Sequence, residues 1–247
     1  MGKTAWESYL TGCSPYNEIF GILRSEYLYS VINIDSTDQK TNFFDCDYRI
    51  AEHLMILYWR GKIAFDEKDE ILEKFFEKSQ DELRGHALDF IGRSLDNAEK
   101  IETEVIDRLK LLWQRRLKFA KKNLKNHKKE MAAFGYWFQS AKFEDEWSIK
   151  QLEEALEISG SSDLSYSLIK RLLELSPVHP YDVLICLKIM IANEEDGYRN
   201  IGWNDDMKKI LFATSKNPDQ KIKELAKEII NKLVASGFID YRELLDD

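Results

Sequence analysis

Two short patterns in the sequence contain residue types that could bind a phosphate or a metal ion. Gly2-Lys3-Thr4 matches the end of a phosphate-binding P-loop, but that motif needs a further Gly five residues before Gly2. The sequence has four histidines, which are His53, His86, His127 and His179. No two of them have the H-E-x-x-H spacing that places two ligands on one helix face, and the lysines between His127 and Glu130 repel a cation. We therefore predict no nucleotide site and no metal site.

A third pattern, Asn193-Glu-Glu-Asp-Gly197, has acidic residues before a Gly, as calcium-binding loops do. The last carboxylate ligand of such a loop would fall on Trp203, so we interpret the segment as a solvated loop. For nucleophilic catalysis the chain has no Gly-x-Ser-x-Gly pattern, and no cysteine shares a local signature with a histidine. The sequence thus predicts no catalytic residue, no cofactor and no enzyme activity. The least favoured alternative is a helical enzyme that assembles scattered carboxylates in space.

The most unusual feature is a segment, residues 108–129, that contains ten basic residues and no acidic one. These are Arg108, Lys110, Arg115, Arg116, Lys118, Lys121, Lys122, Lys125, Lys128 and Lys129. One interpretation is a cationic ridge along a single helix that follows phosphates, with Trp113 or Phe119 stacking on bases. The residues that would make such nucleic-acid or partner contacts are Arg115, Arg116, Lys118, Lys121, Lys122 and Lys125.

The alternative, which we favour, is that this basic segment is solvated or paired with acidic neighbours. Such neighbours are Glu67, Asp69, Glu70, Glu73 and Glu77. On this interpretation the five lysines between 121 and 129 form an exposed face. Five aromatic residues follow the basic segment at helical spacing, and we expect them to be core rather than a binding platform. They are Phe134, Tyr136, Trp137, Phe138 and Trp147.

Helical periodicity positions all of these residues, because apolar side chains recur three or four apart along the whole chain without a competing period of two. The predicted helices cover residues 4–10, 15–34, 48–59, 66–78, 81–98, 101–123, 129–141, 149–158, 164–175, 181–193, 205–214 and 219–236. Only 11 Gly and 4 Pro occur in 247 residues, which argues against a turn-rich β-sandwich or barrel. We therefore predict an all-α fold in one domain, residues 1–247, with a weak seam near Asn97.

Two of the predicted helices resemble each other. With Ala87 placed over Ala226, aliphatic or aromatic residues coincide at the flanking positions, for example Ile91 with Ile230. A small residue at the middle of a helix lets a neighbouring helix approach closely, which is the pattern of inner helices in HEAT-like repeats. The predicted architecture is an α-solenoid of antiparallel helix pairs, and the alternative is an irregular helical bundle.

Charge and composition restrict the class of protein. The net charge is −8 and 44% of the residues are hydrophobic, which excludes a disordered tail and a generally basic nucleic-acid binder. No apolar stretch reaches the length of a membrane span, and the N-terminus lacks a signal-peptide core. The three cysteines are widely spaced and odd in number, which favours reduced thiols. These features predict a cytoplasmic protein with no membrane contact.

Both ends of the chain contain motifs known from one group of bacterial proteins. AWESYL contains Trp6, Glu7 and Leu10, SPYNEIF contains Pro15-Tyr16-Asn17, and the final stretch is Gly237-Phe238-Ile-Asp-Tyr-Arg-Glu-Leu-Leu245. These segments resemble the end of the long helical-repeat extension of large bacterial proteins that carry a sirtuin-like or P-loop NTPase domain and are associated with antiphage defence. LLWQRRLKF, with Trp113 and Arg115, is similar to the central Trp-x-Arg segment of those extensions.

The resemblance implies a non-catalytic protein-recognition or scaffolding domain, since in that group the chemistry belongs to domains upstream of the extension. Met1-Gly2 would then be an artificial start. The implied partner is another protein or the upstream domains of the same polypeptide. The alternative function is a nucleic-acid contact domain that uses the basic segment.

Overall fold

Helices make up all the regular secondary structure of the described residues, which confirms the predicted all-α fold. The structure is a computed structural model that describes residues 44–63, 70–122, 126–162, 165–193 and 204–245. The predicted helices at 4–10 and 15–34, the Gly2-Lys3-Thr4 and Asn193–Gly197 patterns, Lys125 and the N-terminal motifs of the resemblance lie wholly or partly outside these residues.

The described residues form eleven α-helices and one 3₁₀ helix. The α-helices are α1 (Phe44–Trp59), α2 (Glu70–Lys78), α3 (Asp81–Asn97), α4 (Thr103–Ala120), α5 (Lys128–Ala132), α6 (Phe134–Gln139), α7 (Asp145–Ser159), α8 (Ser165–Leu175), α9 (Pro180–Ala192), α10 (Asn204–Ser215) and α11 (Gln220–Ala235). The 3₁₀ helix is Ile239–Leu244.

Local sequence signals account for several helix ends. The side chain of Asp219 caps α11 by accepting a hydrogen bond of 2.8 Å from the backbone N–H of Lys221. Gly160 and Gly237, which follow α7 and α11, have φ values of 76° and 98°, a conformation that costs glycine little. Pro180 is the first residue of α9, where its missing N–H is no loss.

Four predicted helices differ clearly from the observed ones. α1 and α7 each begin four residues before their predicted starts at 48 and 149, at Phe44 and Asp145. The helix predicted over 101–123 ends at Ala120, before a stretch in which further helix would stack lysines three and four residues apart. The helix predicted over 129–141 is divided into α5 and α6 at Ala133. There the N–H of Tyr136 bonds to the carbonyl of Ala133, three residues back, which tightens the turn.

Packing divides the chain into two compact units, Met1–Ala87 and Leu88–Asp247, with the boundary inside α3. In the first unit, the core includes Leu54, Tyr58 and Phe76. Gly61 follows the end of α1 with a φ of 65°. The candidate site lies in the second unit.

Alternate helices contact each other in the second unit. α9 lies between α7 and α11, while α8 contacts both α6 and α10. Glu146 lies within electrostatic reach of His179, and Glu153 of Cys186, so residues of α7 face positions 33 residues later in or beside α9. Because the offset is constant along both helices, α7 and α9 run parallel. Because α9 contacts both α7 and α11, we call these three helices the parallel row, after the direction shared by α7 and α9.

The two alanines chosen from the sequence, Ala87 and Ala226, are completely buried. Their flanking residues Ile91, Ile229 and Ile230 are buried as well. The predicted burial is confirmed, whereas the HEAT-like repeat itself remains a prediction.

Candidate functional site

The basic segment, residues 108–129, occupies two helices rather than one. Its first part lies on α4, its last two lysines begin α5, and Lys121 and Lys122 stand in a turn between them. The described residues of the segment therefore form no continuous cationic ridge along a single helix. The described lysines between 121 and 129 are all exposed, as predicted.

The six residues proposed from the sequence as contact residues have different surroundings. Arg115, Lys118, Lys121 and Lys122 are exposed. Arg116 has only 2% of its side chain exposed and faces the interior, so it does not contribute to an accessible surface. Lys125 lies outside the described residues.

Two lysines of the basic segment pair with acidic residues that follow it in the sequence. Lys121 Nζ lies 3.0 Å from Glu154 Oε2 on α7, and both side chains are about half exposed. Lys110 forms an ion pair with Glu144 and also lies over the ring of Trp147. The hydrogen bond from Lys110 lowers the pKa of the Glu144 carboxyl. These two ion pairs partly neutralise the positive charge of the basic segment. They also connect the segment to α7 and to Glu144, the residue before α7.

Arg116 and His127 of the basic segment form a buried polar network with Glu130. Arg116 Nε and Nη2 donate to the two carboxylate oxygens of Glu130 at 2.5 and 3.2 Å. His127 Nδ1 lies 2.7 Å from Glu130 Oε2. The guanidinium of Arg116 lies over the ring of Phe119, and the rings of Phe119 and His127 meet edge to face. A bidentate pair of this kind fixes the relative position of α4 and α5, because either partner alone would be a desolvated charge.

An aromatic cluster packs beside this network. Trp113 stacks on Phe134 with ring centroids 4.8 Å apart, and meets Trp137 edge to face at 5.8 Å. The indole N–H of Trp137 donates to the carbonyl of Leu88 at 2.7 Å. Of the five aromatics expected to be core, Phe134, Trp137 and Phe138 are buried, whereas Tyr136 and Trp147 are half-buried. The predicted core role is confirmed for the three buried residues, whereas Tyr136 and Trp147 are only partly in the core.

The outer side of α9 carries an apolar stripe. Val178, just before the helix, is 73% exposed, and Tyr181 in its first turn is 48% exposed. Ile185 and Ile189 follow at intervals of four residues and are half-buried. The opposite side of α9 is completely apolar and buried, with Val183, Leu184, Cys186, Leu187, Met190 and Ile191. A surface helix ordinarily presents polar residues on its outer face, so the stripe is surplus to what the core requires.

Acidic side chains of α7 border this stripe. Burial, together with the nearby charges of Glu157, Asp182 and Glu154, raises the pKa of the Glu153 carboxyl. Among the ion pairs of the described residues, none includes Glu153, Glu157 or Asp182. Lys150 lies within electrostatic reach of Asp182, but it is hydrogen-bonded to Glu146 at 2.9 Å. The border is therefore a region of excess negative charge.

On the other side of the stripe, the boundary between α9 and α11 is electrically balanced. Lys188 of α9 lies 2.8 Å from Glu228 of α11. The apolar stripe thus has an acidic edge toward α7 and a neutral edge toward α11. We call the stripe and its acidic edge the α9 face. It is defined by Val178, Tyr181, Ile185, Ile189, Glu153, Glu157 and Asp182.

Reasoning from the sequence missed the α9 face. The spacing of Tyr181, Ile185 and Ile189 is that of one helix face. The core residues between them have the same kind of spacing, so the sequence does not distinguish the two faces. The available signal was that α9 has apolar residues on every side, whereas a surface helix usually has polar residues on its outer side.

The described residues give little support to a metal site, a reactive thiol or a membrane-spanning helix. No group of three or more His, Cys, Asp or Glu side chains there could hold a metal ion. Complete burial raises the pKa of the Cys186 thiol, which keeps it protonated and unreactive. None of the described helices combines the length and hydropathy needed to span a bilayer.

Comparisons with known proteins add no assignment. A scan against protein-family models, a search of curated proteins and a search of solved structures each returned no match.

Proposed function

We propose that this chain is a non-catalytic protein-recognition or scaffolding domain with the architecture of an α-solenoid. The parallel row and the second series α6, α8 and α10 support this architecture, because helix pairs stacked in chain order produce such contacts. The resemblance of the chain ends suggests a place within a larger cytoplasmic protein of the bacterial antiphage-defence type. Its partner is another protein or the upstream domains of the same polypeptide.

The observation that carries this proposal is the exposure of Val178 and Tyr181 on the α9 face. Large apolar side chains grouped on one surface lose unfavourable hydration when a partner covers them. Tyrosine is also among the residues that contribute most to binding energy at protein interfaces. A row of packed helices presents such side chains on a rigid surface, so little conformational entropy is lost on binding.

A photo-cross-linking amino acid placed at Val178 in the native host tests the proposal. The expected result is a specific covalent adduct with one protein, identified by mass spectrometry. The matched control places the same cross-linker at Glu102, which is exposed in another part of the second unit. Absence of any adduct, or the same adducts from both positions, would contradict protein recognition at this face.

The second candidate function, nucleic-acid contact, is favoured by one observation. Arg115, Lys118, Lys122, Lys128 and Lys129 are all exposed. Binding of single- and double-stranded oligonucleotides at about 50 and 200 mM salt tests it, since phosphate contacts weaken steeply as salt rises. We expect little binding at either concentration, because the paired Lys121 and the turn after Ala120 interrupt the basic surface. Tight binding at low salt that disappears at high salt would favour the nucleic-acid function instead.

A further inference from the structure

The α9 face combines two properties that together define the chemistry of a partner. Its centre is apolar, and its edge along α7 is acidic. These properties come from different helices and from different observations, namely the exposure of α9 side chains and the like-charge surroundings of Glu153. A purely apolar partner would leave the acidic edge desolvated and unpaired, which is costly. An acidic partner would add repulsion at the same edge.

We propose that the α9 face binds a basic amphipathic helical segment of a partner protein. The apolar side of that segment covers Val178, Tyr181, Ile185 and Ile189, and its Lys or Arg side chains pair with Glu153, Glu157 and Asp182. This inference rests on the proposed function and specifies the partner class.

The dimensions of the stripe suit a short helix. An α-helix rises about 1.5 Å per residue, so the eight-residue interval from Tyr181 to Ile189 is about 12 Å long, or roughly two turns. An amphipathic partner helix offers apolar side chains at the same spacing of three and four residues. One side of such a helix would face the stripe while its basic flank lies above α7.

Charge balance favours a basic flank rather than a neutral one. Three of the other acidic residues of α7 already have partners within the protein. These pairs are Asp145 with Arg171, Glu146 with Lys150, and Glu154 with Lys121. Glu153 is surrounded instead by Glu157, Asp182 and Glu154. A cation brought to this position replaces repulsion with attraction, and does so where the apolar contact excludes water.

The probe for the test is a synthetic helical peptide of about 16 residues with Leu on one side and Lys on the other. A peptide of the same pattern with Glu in place of Lys is its control. Fluorescence anisotropy at about 100 mM salt measures the affinity of the intact chain for each peptide. We expect the Leu/Lys peptide to bind at least about tenfold more tightly than the Leu/Glu peptide.

Variants then locate the binding. Glu153→Lys with Glu157→Lys should weaken the Leu/Lys peptide about tenfold or more, and Tyr181→Ser with Ile185→Ser should do the same. The matched control is Glu102→Lys with Glu104→Lys, which changes the net charge equally at exposed positions elsewhere. It should change the affinity less than about threefold. Glu153→Gln with Glu157→Gln removes the two negative charges without reversing them. Circular dichroism checks that each variant is folded.

Three outcomes would overturn the inference. They are failure of the Leu/Lys peptide to bind the unmodified chain, an equal loss with both charge-reversed pairs, and no effect of the Tyr181 and Ile185 changes. These results are distinguishable from failure of the proposed function. If Val178 still cross-links to a protein in cells while the peptide fails, protein recognition stands and the basic partner class is wrong.

Discussion

The guanidinium of Arg116 and the carboxylate of Glu130 face each other through two hydrogen bonds inside the second unit. The side chains are 2% and 0% exposed, so neither charge has substantial access to water. His127 completes the arrangement, with its Nδ1 2.7 Å from Glu130 Oε2. Arg116, although it belongs to the basic segment, therefore connects α4 to α5 in the interior and adds nothing to the basic surface.

Removing one member of this pair should be strongly destabilising. Glu130→Ala leaves Arg116 buried without its carboxylate, and we expect the free energy of unfolding to fall by about 3 to 5 kcal/mol. Chemical denaturation measures the loss. The double variant Arg116→Met with Glu130→Leu should be less destabilised than Glu130→Ala alone, because it buries no charge. The exposed pair Glu146–Lys150 is the control, and Glu146→Gln should barely move the midpoint. Equal midpoints for Glu130→Ala and Glu146→Gln would contradict this account.

Ala87 and Ala226 should not tolerate enlargement, since both are completely buried. Phe at either position should lower the free energy of unfolding by about 1 to 3 kcal/mol through overpacking. Ala235→Phe is a matched control, because Ala235 lies on the same helix as Ala226 but is exposed. Thermal and urea denaturation measure the stability of the three variants. Unchanged stability in both buried variants would show that these alanines are not in tight helix contacts.

Gly92 permits a close approach between α3 and α6. A Cβ atom built on Gly92 would lie 2.3 Å from Cβ and 3.2 Å from the carbonyl carbon of Tyr136. Although Ala is favoured over Gly in a helix by about 1 kcal/mol, Gly92→Ala should therefore destabilise by about 1 to 3 kcal/mol. Ser94→Ala, at a half-buried position of the same helix, should be nearly neutral. A rise in the melting temperature of Gly92→Ala would mean that the two helices are farther apart.

The raised pKa of Glu153 predicts a pH-dependent effect on stability. At neutral pH its ionised carboxyl is opposed by burial and by neighbouring acids, so Glu153→Gln should be more stable than the unmodified chain. As the pH falls through the raised pKa, Glu153 takes up a proton in the folded state and this advantage shrinks. It should vanish below the ordinary value of 4.5.

Glu146 should behave in the opposite way, which makes it the control for Glu153. The hydrogen bond and charge of Lys150 lower the pKa of Glu146, so Glu146→Gln should give no gain at neutral pH. Melting temperatures of both variants between pH 3 and 8 provide the comparison. A constant difference across this range for Glu153→Gln would refute the electrostatic explanation.

Local sequence signals predicted most of the helices and several of their ends. The side chain of Asp219 caps the start of α11, and Gly237 follows the end of that helix with a positive φ. Pro180 is the first residue of α9. The end of α4 at Ala120 was not predictable in this way, because Leu124 continues the apolar spacing beyond it. A buried partner for Arg116 lies fourteen residues away at Glu130, and no periodic pattern connects the two positions.

The α9 face was difficult to predict for a related reason. Periodicity assigns apolar residues of a helix to the core, and α9 has apolar residues on every side. Which side remains uncovered depends on where α7 and α11 lie, and therefore on tertiary packing. The acidic edge depends in the same way on the 33-residue offset between Glu153 and Cys186.

The 33-residue offset between α7 and α9 also has a consequence for partial unfolding of the second unit. Each helix of the parallel row contacts helices only a few tens of residues away, so its tertiary contacts close short loops. Such contacts form early and allow sections of the chain to open separately. Amide hydrogen exchange would then divide the unit into successive blocks along the chain, and a basic helix seated on α9 would slow exchange in α7 and α9 while leaving α4 unchanged.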